Sequence, residues 1–168
     1  FDIIDNTSGA PYTKLTSFPY PKVGTENATA RIGVLQLPAA APTSETETTL
    51  WMDLAPADGS EHYLASLDFI SDTTVAVQRL PREQQKVDVL LADTRTGSSR
   101  VVYYETEETW MDVAPMQWID EERFVWLSDR SGFAQLYLVY ASYGAIHPIT
   151  TGCETQDVIS IVSVDTTA

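Results

Sequence analysis

Short runs of β-branched and aromatic residues, each closed by turn-forming residues, follow one another along this chain, and no long window carries apolar residues at the three-and-four spacing of a helix. Eleven runs qualify as strands: 30–37, 46–54, 62–69, 73–80, 86–92, 99–105, 116–119, 122–128, 134–140, 145–150 and 158–164. That succession predicts an all-β fold and excludes the alternating strand and helix order of an α/β domain.

Alternation along the runs predicts how they pack. Val87, Val89 and Leu91 alternate with Asp88 and Leu90, and Leu136, Leu138 and Tyr140 alternate with Tyr137 and Val139, so in both runs the second face is also largely apolar. Strands of that kind are covered on both sides, as when sheets stack on neighbouring sheets. Between the runs, Asp93-Thr94-Arg95-Thr96-Gly97 and Ser142-Tyr143-Gly144 supply residues that accept positive φ at hairpin turns.

The runs also repeat. Phe69 and Trp118, Val77 and Trp126, and Val89 and Leu138 each stand 49 residues apart, while Gly97 and Gly144 stand 47 apart. A four-stranded unit recurring every ~40–50 residues is the pattern of a β-propeller blade, in which each small sheet buries both faces against its neighbours. Two complete blades are expected, about 62–105 and 115–150, with strands of an earlier blade before them and 158–164 as the first strand of the next. The expectation is therefore a partial β-propeller of about three blades of four-stranded antiparallel sheets, and since a closed ring takes about four to eight blades, a portion of a longer polypeptide. A more conspicuous echo, "WMDLAP" from Trp51 and "WMDVAP" from Trp110, is spaced by 59 residues. It is out of register with the other pairs and reads as a coincidence of composition, with Trp51 inside a strand and Trp110 in a connection.

Ten Lys and Arg against 24 Asp and Glu leave a net charge of −14, which repels phosphate backbones and argues against nucleic-acid binding. The acids are scattered rather than blocked, the pattern of a solubilising surface. One cysteine, Cys153, excludes an internal disulfide, and two histidines, His62 and His147, leave little material for a zinc site, so neither a metal nor a cofactor is expected. No uncharged apolar run approaches the ~20 residues that cross a bilayer. Two triplets, Asn6-Thr7-Ser8 and Asn27-Ala28-Thr29, have the glycan-acceptor pattern.

Tyr20-Pro21-Lys22-Val23-Gly24, with Asn27 and then the strand Arg31-Ile32-Gly33-Val34-Leu35, resembles the dipeptidyl peptidase IV family of serine exopeptidases, which carries a "YPKAG" segment and a nearby Asn just before a propeller strand. Pro81-Arg82-Glu83-Gln84-Gln85 is similar to that family's "NRxQN" loop, and the stretch from Trp126 to Phe133, with Leu136-Tyr137-Leu138, to its "WxSExDGxxHLYLY". Order and spacing match as well, from about Tyr12 to Ile161. Two departures stand out. Asp120-Glu121 replaces an Asp-Gly turn, which should alter its backbone because Glu accepts positive φ less readily than Gly, and Gln156 before Asp157-Val158 replaces a Trp.

The resemblance implies a parent enzyme that releases dipeptides, after Pro or Ala, from peptide N-termini with a Ser, Asp and His triad on an α/β-hydrolase domain of the same polypeptide. Its nucleophile sits in Gly-x-Ser-x-Gly, and no such motif occurs in these residues. His62, within a strand, and His147, before Pro148, read as packed or exposed β residues rather than as triad bases. The glutamate pair with which the family holds the substrate's ammonium group lies upstream of its "YPKAG" segment, so neither Glu107-Glu108 nor Glu121-Glu122 matches it; both pairs read as solvated acids flanking turns. Of the two, Glu107 and Glu108 near Trp110 make the better substrate-binding edge, since a carboxylate beside an aromatic face can hold an ammonium group. Trp126 reads as blade core, and Cys153 as an incidental thiol in a turn.

The expected role is thus that of a noncatalytic propeller segment which restricts entry to peptides with free N-termini and supports a homodimer or other self-association. The alternatives are a stand-alone propeller-like module that binds a protein partner through its blade edges, and a carbohydrate-binding β protein with an exposed row of tryptophans.

Overall fold

The computed structural model describes residues 1–7, 9, 11–35, 49–151 and 155–165, and among them every regular element is a strand, so the fold is all-β. The strands are β1 (Asp2–Asp5), β2 (Lys14–Ser17), β3 (Gly33–Val34), β4 (Leu50–Trp51), β5 (His62–Ser71), β6 (Thr74–Pro81), β7 (Lys86–Asp93), β8 (Ser99–Thr106), β9 (Gln117–Trp118), β10 (Arg123–Ser128), β11 (Gln135–Tyr140) and β12 (Ile146–Pro148). They form two four-stranded antiparallel meanders, β5-β6-β7-β8 and β12-β11-β10-β9, and two two-stranded pairs, β1-β2 and β3-β4.

The apolar character of both faces of β6 and β7 sets this arrangement. Ala76 and Leu80 of β6, with Val87, Val89 and Leu91 of β7, point to one side, where they meet Phe124, Trp126 and Val139 of the second meander. Val75, Val77, Leu90 and Ala92 point to the other side and pack on Met52 and Leu54, with Ile32 and Val34 of the β3-β4 region behind them. The first meander is therefore the middle layer of a stack, as a propeller blade is. Each fully buried Val or Leu contributes roughly 1.5–3 kcal/mol relative to an exposed one, and Val75, Val77, Val87 and Val89 are each 0% exposed.

Polar anchors tie the layers on both faces. Arg79 of β6 pairs with Asp88 of β7 at 2.7 Å and donates to the Leu54 carbonyl at 2.8 Å, while Lys86 reaches the other Asp88 oxygen at 2.8 Å. On the opposite face, Gln78 donates to the Ala114 carbonyl at 2.8 Å.

Turn chemistry follows the sequence. The Asp93 carboxylate accepts from the Arg95 and Thr96 amides at 2.7 and 3.1 Å, and Gly97 closes the β7-β8 turn at φ 75°. Only glycine fits there, because a Cβ on Gly97 would stand 2.6 Å from the Trp51 carbonyl oxygen. Glu121 needs no positive φ: Asp120 accepts from the Glu122 and Arg123 amides at 2.9 and 2.8 Å, a local cap that stands in for a glycine turn.

Three expectations change. Residues 158–164 form no strand; Val158 donates one backbone bond to Ala134, and Ile159 and Val162 are more than nine-tenths exposed, with no neighbouring strand among the described residues to complete a ladder. Within 30–37 and 46–54 the described ladder is confined to β3 and β4, and residues 36–48 lie outside the described set, as do Ser8 of the first glycan-acceptor triplet and Cys153. The hairpin β1-β2 was not foreseen. It pairs Asp2 with Ser17 and Asp5 with Lys14, so its ladder is built from residues with little apolar alternation to announce it.

Candidate functional site

The densest polar constellation lies where the first meander meets the second, at the end of β8. Tyr103 and Glu105 point toward the second sheet and are 5% and 6% exposed, whereas Tyr104 between them points outward. Glu105 accepts from the Tyr103 hydroxyl at 2.9 Å and from the Trp126 indole at 2.6 Å, and it also accepts from the Ser128 hydroxyl. Arg130 completes the group, 3.1 Å from Glu105, donating to the Tyr103 and Ser128 hydroxyls with its guanidinium over the Tyr137 ring at 5.3 Å. Burial, reinforced by the Glu105 charge, pushes the Tyr103 hydroxyl well above the usual phenol range, so it stays a donor to Glu105.

The carboxylates of Glu107 and Asp129 come within 4.8 Å of that of Glu105. These three are the described residues best placed to hold a cation. The donor set argues against it: Glu105 already accepts from three side chains and pairs with Arg130, which leaves two acids where calcium takes about six to eight oxygens.

Of the residues singled out from sequence, Glu107 is half-buried in this cluster, while Glu108 and Trp110 are exposed. Neither glutamate lies in a strand, so strand alternation does not set where they point. Their segment is clipped to the β6-β7 turn: the Glu107 amide donates to Gln85, the Gln85 side chain to the Glu108 carbonyl at 2.9 Å, and the Met111 amide to Gln84 at 2.7 Å. Within that turn Gln84 has a positive φ of 53°. Glu121 and Glu122 are exposed beside the Asp120 turn and line a separate cleft with Arg100. Trp126 is core at 1% exposure, whereas Trp51 and Trp110 are about half exposed, Trp51 in β4 with Arg31 stacked 4.3 Å over its ring and Trp110 in a connection. Met52 and Met111, which follow these two tryptophans, are buried in different clusters on opposite faces of the first meander, so the two tryptophans do not belong to one row. His62 lies in β5 and His147 in β12, edge-on to Tyr140. Asn6 is exposed, and Asn27 buries its amide nitrogen.

Sequence reasoning missed Glu105, Tyr103 and Arg130. The signal was present in the period-two placing of Tyr103 and Glu105 on the face that Trp126 meets, but which acid reaches across a sheet interface is set by the stacking of the sheets.

The family described as the dipeptidyl peptidase IV (DPP IV) N-terminal region matches residues 1–168. A probable dipeptidyl peptidase 4 of Emericella nidulans is 30% identical over 177 residues, covering 96% of this chain and 22% of that protein. The inactive dipeptidyl peptidase 10 of Mus musculus is 30% identical over 112 residues, covering 65% of this chain and 13% of that protein. Among solved structures, Porphyromonas gingivalis dipeptidyl peptidase 4 superposes with a TM-score of 0.75 at 19% identity, over 98% of this chain and 22% of that one. The likeness supports the fold; the chain spans about a fifth of the length of the full-length relatives it resembles.

Proposed function

The chain belongs to the dipeptidyl peptidase IV N-terminal-region family, and from that premise we propose that it is the noncatalytic propeller part of a serine exopeptidase that releases dipeptides from peptide N-termini after Pro or Ala. The match along all 168 residues carries the reading. In it, the two meanders, β5-β8 and β9-β12, are complete blades of a longer propeller, and they shield the hydrolase site of the same polypeptide, admit peptides with free N-termini and contribute to a homodimer. Glu107, Glu108 and Trp110 form a cation-holding edge at which a peptide's ammonium group is received. Bond cleavage belongs to the hydrolase domain, in keeping with the absence of Gly-x-Ser-x-Gly from these residues.

A second reading has one specific support: a relative of the same 30% identity is an inactive dipeptidyl peptidase. In that reading the parent keeps the propeller as a protein-binding surface without hydrolysis, close to the stand-alone binding module considered from sequence.

The test is hydrolysis of glycyl-prolyl-p-nitroanilide by the 168-residue chain and by the complete polypeptide that contains it. Release by the complete polypeptide alone, abolished when the substrate's amine is acetylated, is the expected result. Release by the chain itself would overturn the noncatalytic assignment, and release by neither would replace it with the binding reading.

A further inference from the structure

Gln78 breaks an apolar face of β6. It stands between Ala76 and Leu80 on the side that meets Phe124 and Trp126, and it is 0% exposed. Its Nε2 donates to the Ala114 carbonyl at 2.8 Å, an orientation open only to the NH2 end of the amide, and its Oε1 has no hydrogen-bond partner among the described residues. A buried amide with an unmet acceptor costs stability that an apolar side chain of the same volume would not. Packing therefore does not account for Gln78, and a rule broken without a gain in packing points to a functional demand.

The Gln78 bond falls on the connection 107–116, which has no regular structure of its own. Three more bonds hold the same connection to the β6-β7 turn, from the Glu107 amide to the Gln85 carbonyl, from the Gln85 side chain to the Glu108 carbonyl, and from the Met111 amide to the Gln84 carbonyl. Met111 and Met116 are buried beneath it, while Glu108, Trp110 and Asp112 stay exposed between the anchors. An irregular segment tied at both ends by one strand and its turn is a preorganised display, which meets a ligand without first having to be ordered. The geometry points to Gln78 and Gln85 as positioning residues for the cation-holding edge: Gln85 fixes its near end through Glu108, and Gln78 fixes the far end of the connection through Ala114. This role rests on the assignment of Glu107, Glu108 and Trp110 as that edge, and adds the groups that hold it in place.

Gln78→Met conserves volume and removes the buried donor, and Gln85→Ala removes the second donor from the exposed turn. In the complete polypeptide each variant should raise KM for glycyl-prolyl-p-nitroanilide several-fold with kcat unchanged, because a loosened edge loses binding that is equal in the ground and transition states. Amide exchange across 107–116 should quicken in both. Ala114 is half-buried, so its carbonyl can turn to water, and the thermal midpoint of Gln78→Met should stay level or rise. A lower midpoint with KM unmoved would mark Gln78 as structural only and overturn its positioning role, as would unchanged exchange across 107–116. Trp110→Ala combined with Glu108→Gln tests the edge itself and should raise KM at least as much. If it does so while Gln78→Met and Gln85→Ala leave KM as it was, the edge stands and the positioning role is overturned. If it leaves KM unmoved, or the complete polypeptide releases no p-nitroaniline, the edge is overturned and the positioning role falls with it.

Discussion

The Trp126 indole nitrogen donates a 2.6 Å hydrogen bond to Glu105, so the largest fully buried side chain of the second meander is aimed by an acid of the first. The same carboxylate takes hydroxyl donors from both sheets, which makes it a polar joint within a largely apolar interface.

Glu105→Ala strands the Trp126, Tyr103 and Ser128 donors and unpairs Arg130, and should destabilise by about 3–5 kcal/mol in urea unfolding. Glu105→Gln keeps an acceptor and should cost about 1–2 kcal/mol. Equal losses for the two variants would assign the effect to packing volume instead of the bonds.

Gly97→Ala forces a Cβ to within 2.6 Å of the Trp51 carbonyl at φ 75°, whereas Gly144→Ala meets its nearest atom at 3.4 Å at φ 69°. The first should cost more than about 2 kcal/mol and the second about 1 kcal/mol. Thermal midpoints in the reverse order would contradict the close approach of the β7-β8 turn to β4.

Arg79→Met leaves Asp88 buried beside Lys86 alone and should cost about 3–5 kcal/mol, while adding Asp88→Leu should recover most of it, because an apolar pair of similar volume leaves no charge uncompensated. A double variant no more stable than the single one would show that the Leu54 carbonyl, left without its Arg79 donor, dominates the loss.

The Arg95 guanidinium and the Arg95 and Thr96 amides hold the Asp93 carboxyl down at about 2, below its ordinary 3.8. A depressed acid stabilises the folded chain fully above its unfolded value, so this contribution is present above about pH 4 and is lost as the pH falls to about 2. A carbon-13 titration of Asp93 should show the low midpoint, and Arg95→Ala should raise it; an ordinary midpoint in the intact chain would rule out the capped turn.

The strands of both meanders were legible because β6, β7, β10 and β11 advertise themselves through apolar residues on both faces, and the turns at Gly97 and Gly144 through residues that accept positive φ. The family was legible for a different reason: the Tyr20 to Gly24 segment and the Trp126 to Phe133 stretch keep their order and spacing. Two strands escaped. The β1-β2 hairpin is exposed on almost every residue, so no buried face imposed a period on it. Residues 158–164 show the converse, since β-branched composition cannot make a ladder without a partner strand. The Glu105 joint was illegible because it depends on which side chains of two sheets face one another, whereas Glu107 was noticed for its neighbour in sequence and lies beside Glu105 and Asp129 in space.

In both meanders every strand pairs with the one just before or after it in the chain, so each ladder closes through a short loop. Loop-closure entropy is then small at every step, and each sheet can assemble at the rate of a hairpin without waiting for distant segments. A polypeptide built this way acquires its structure in the order in which it leaves the ribosome. The first meander emerges with one greasy face already met by the β3-β4 region, while the other is covered only by Met111 and Met116 until Phe124 and Trp126 arrive, so that face is exposed to other chains while residues 106–124 are being made.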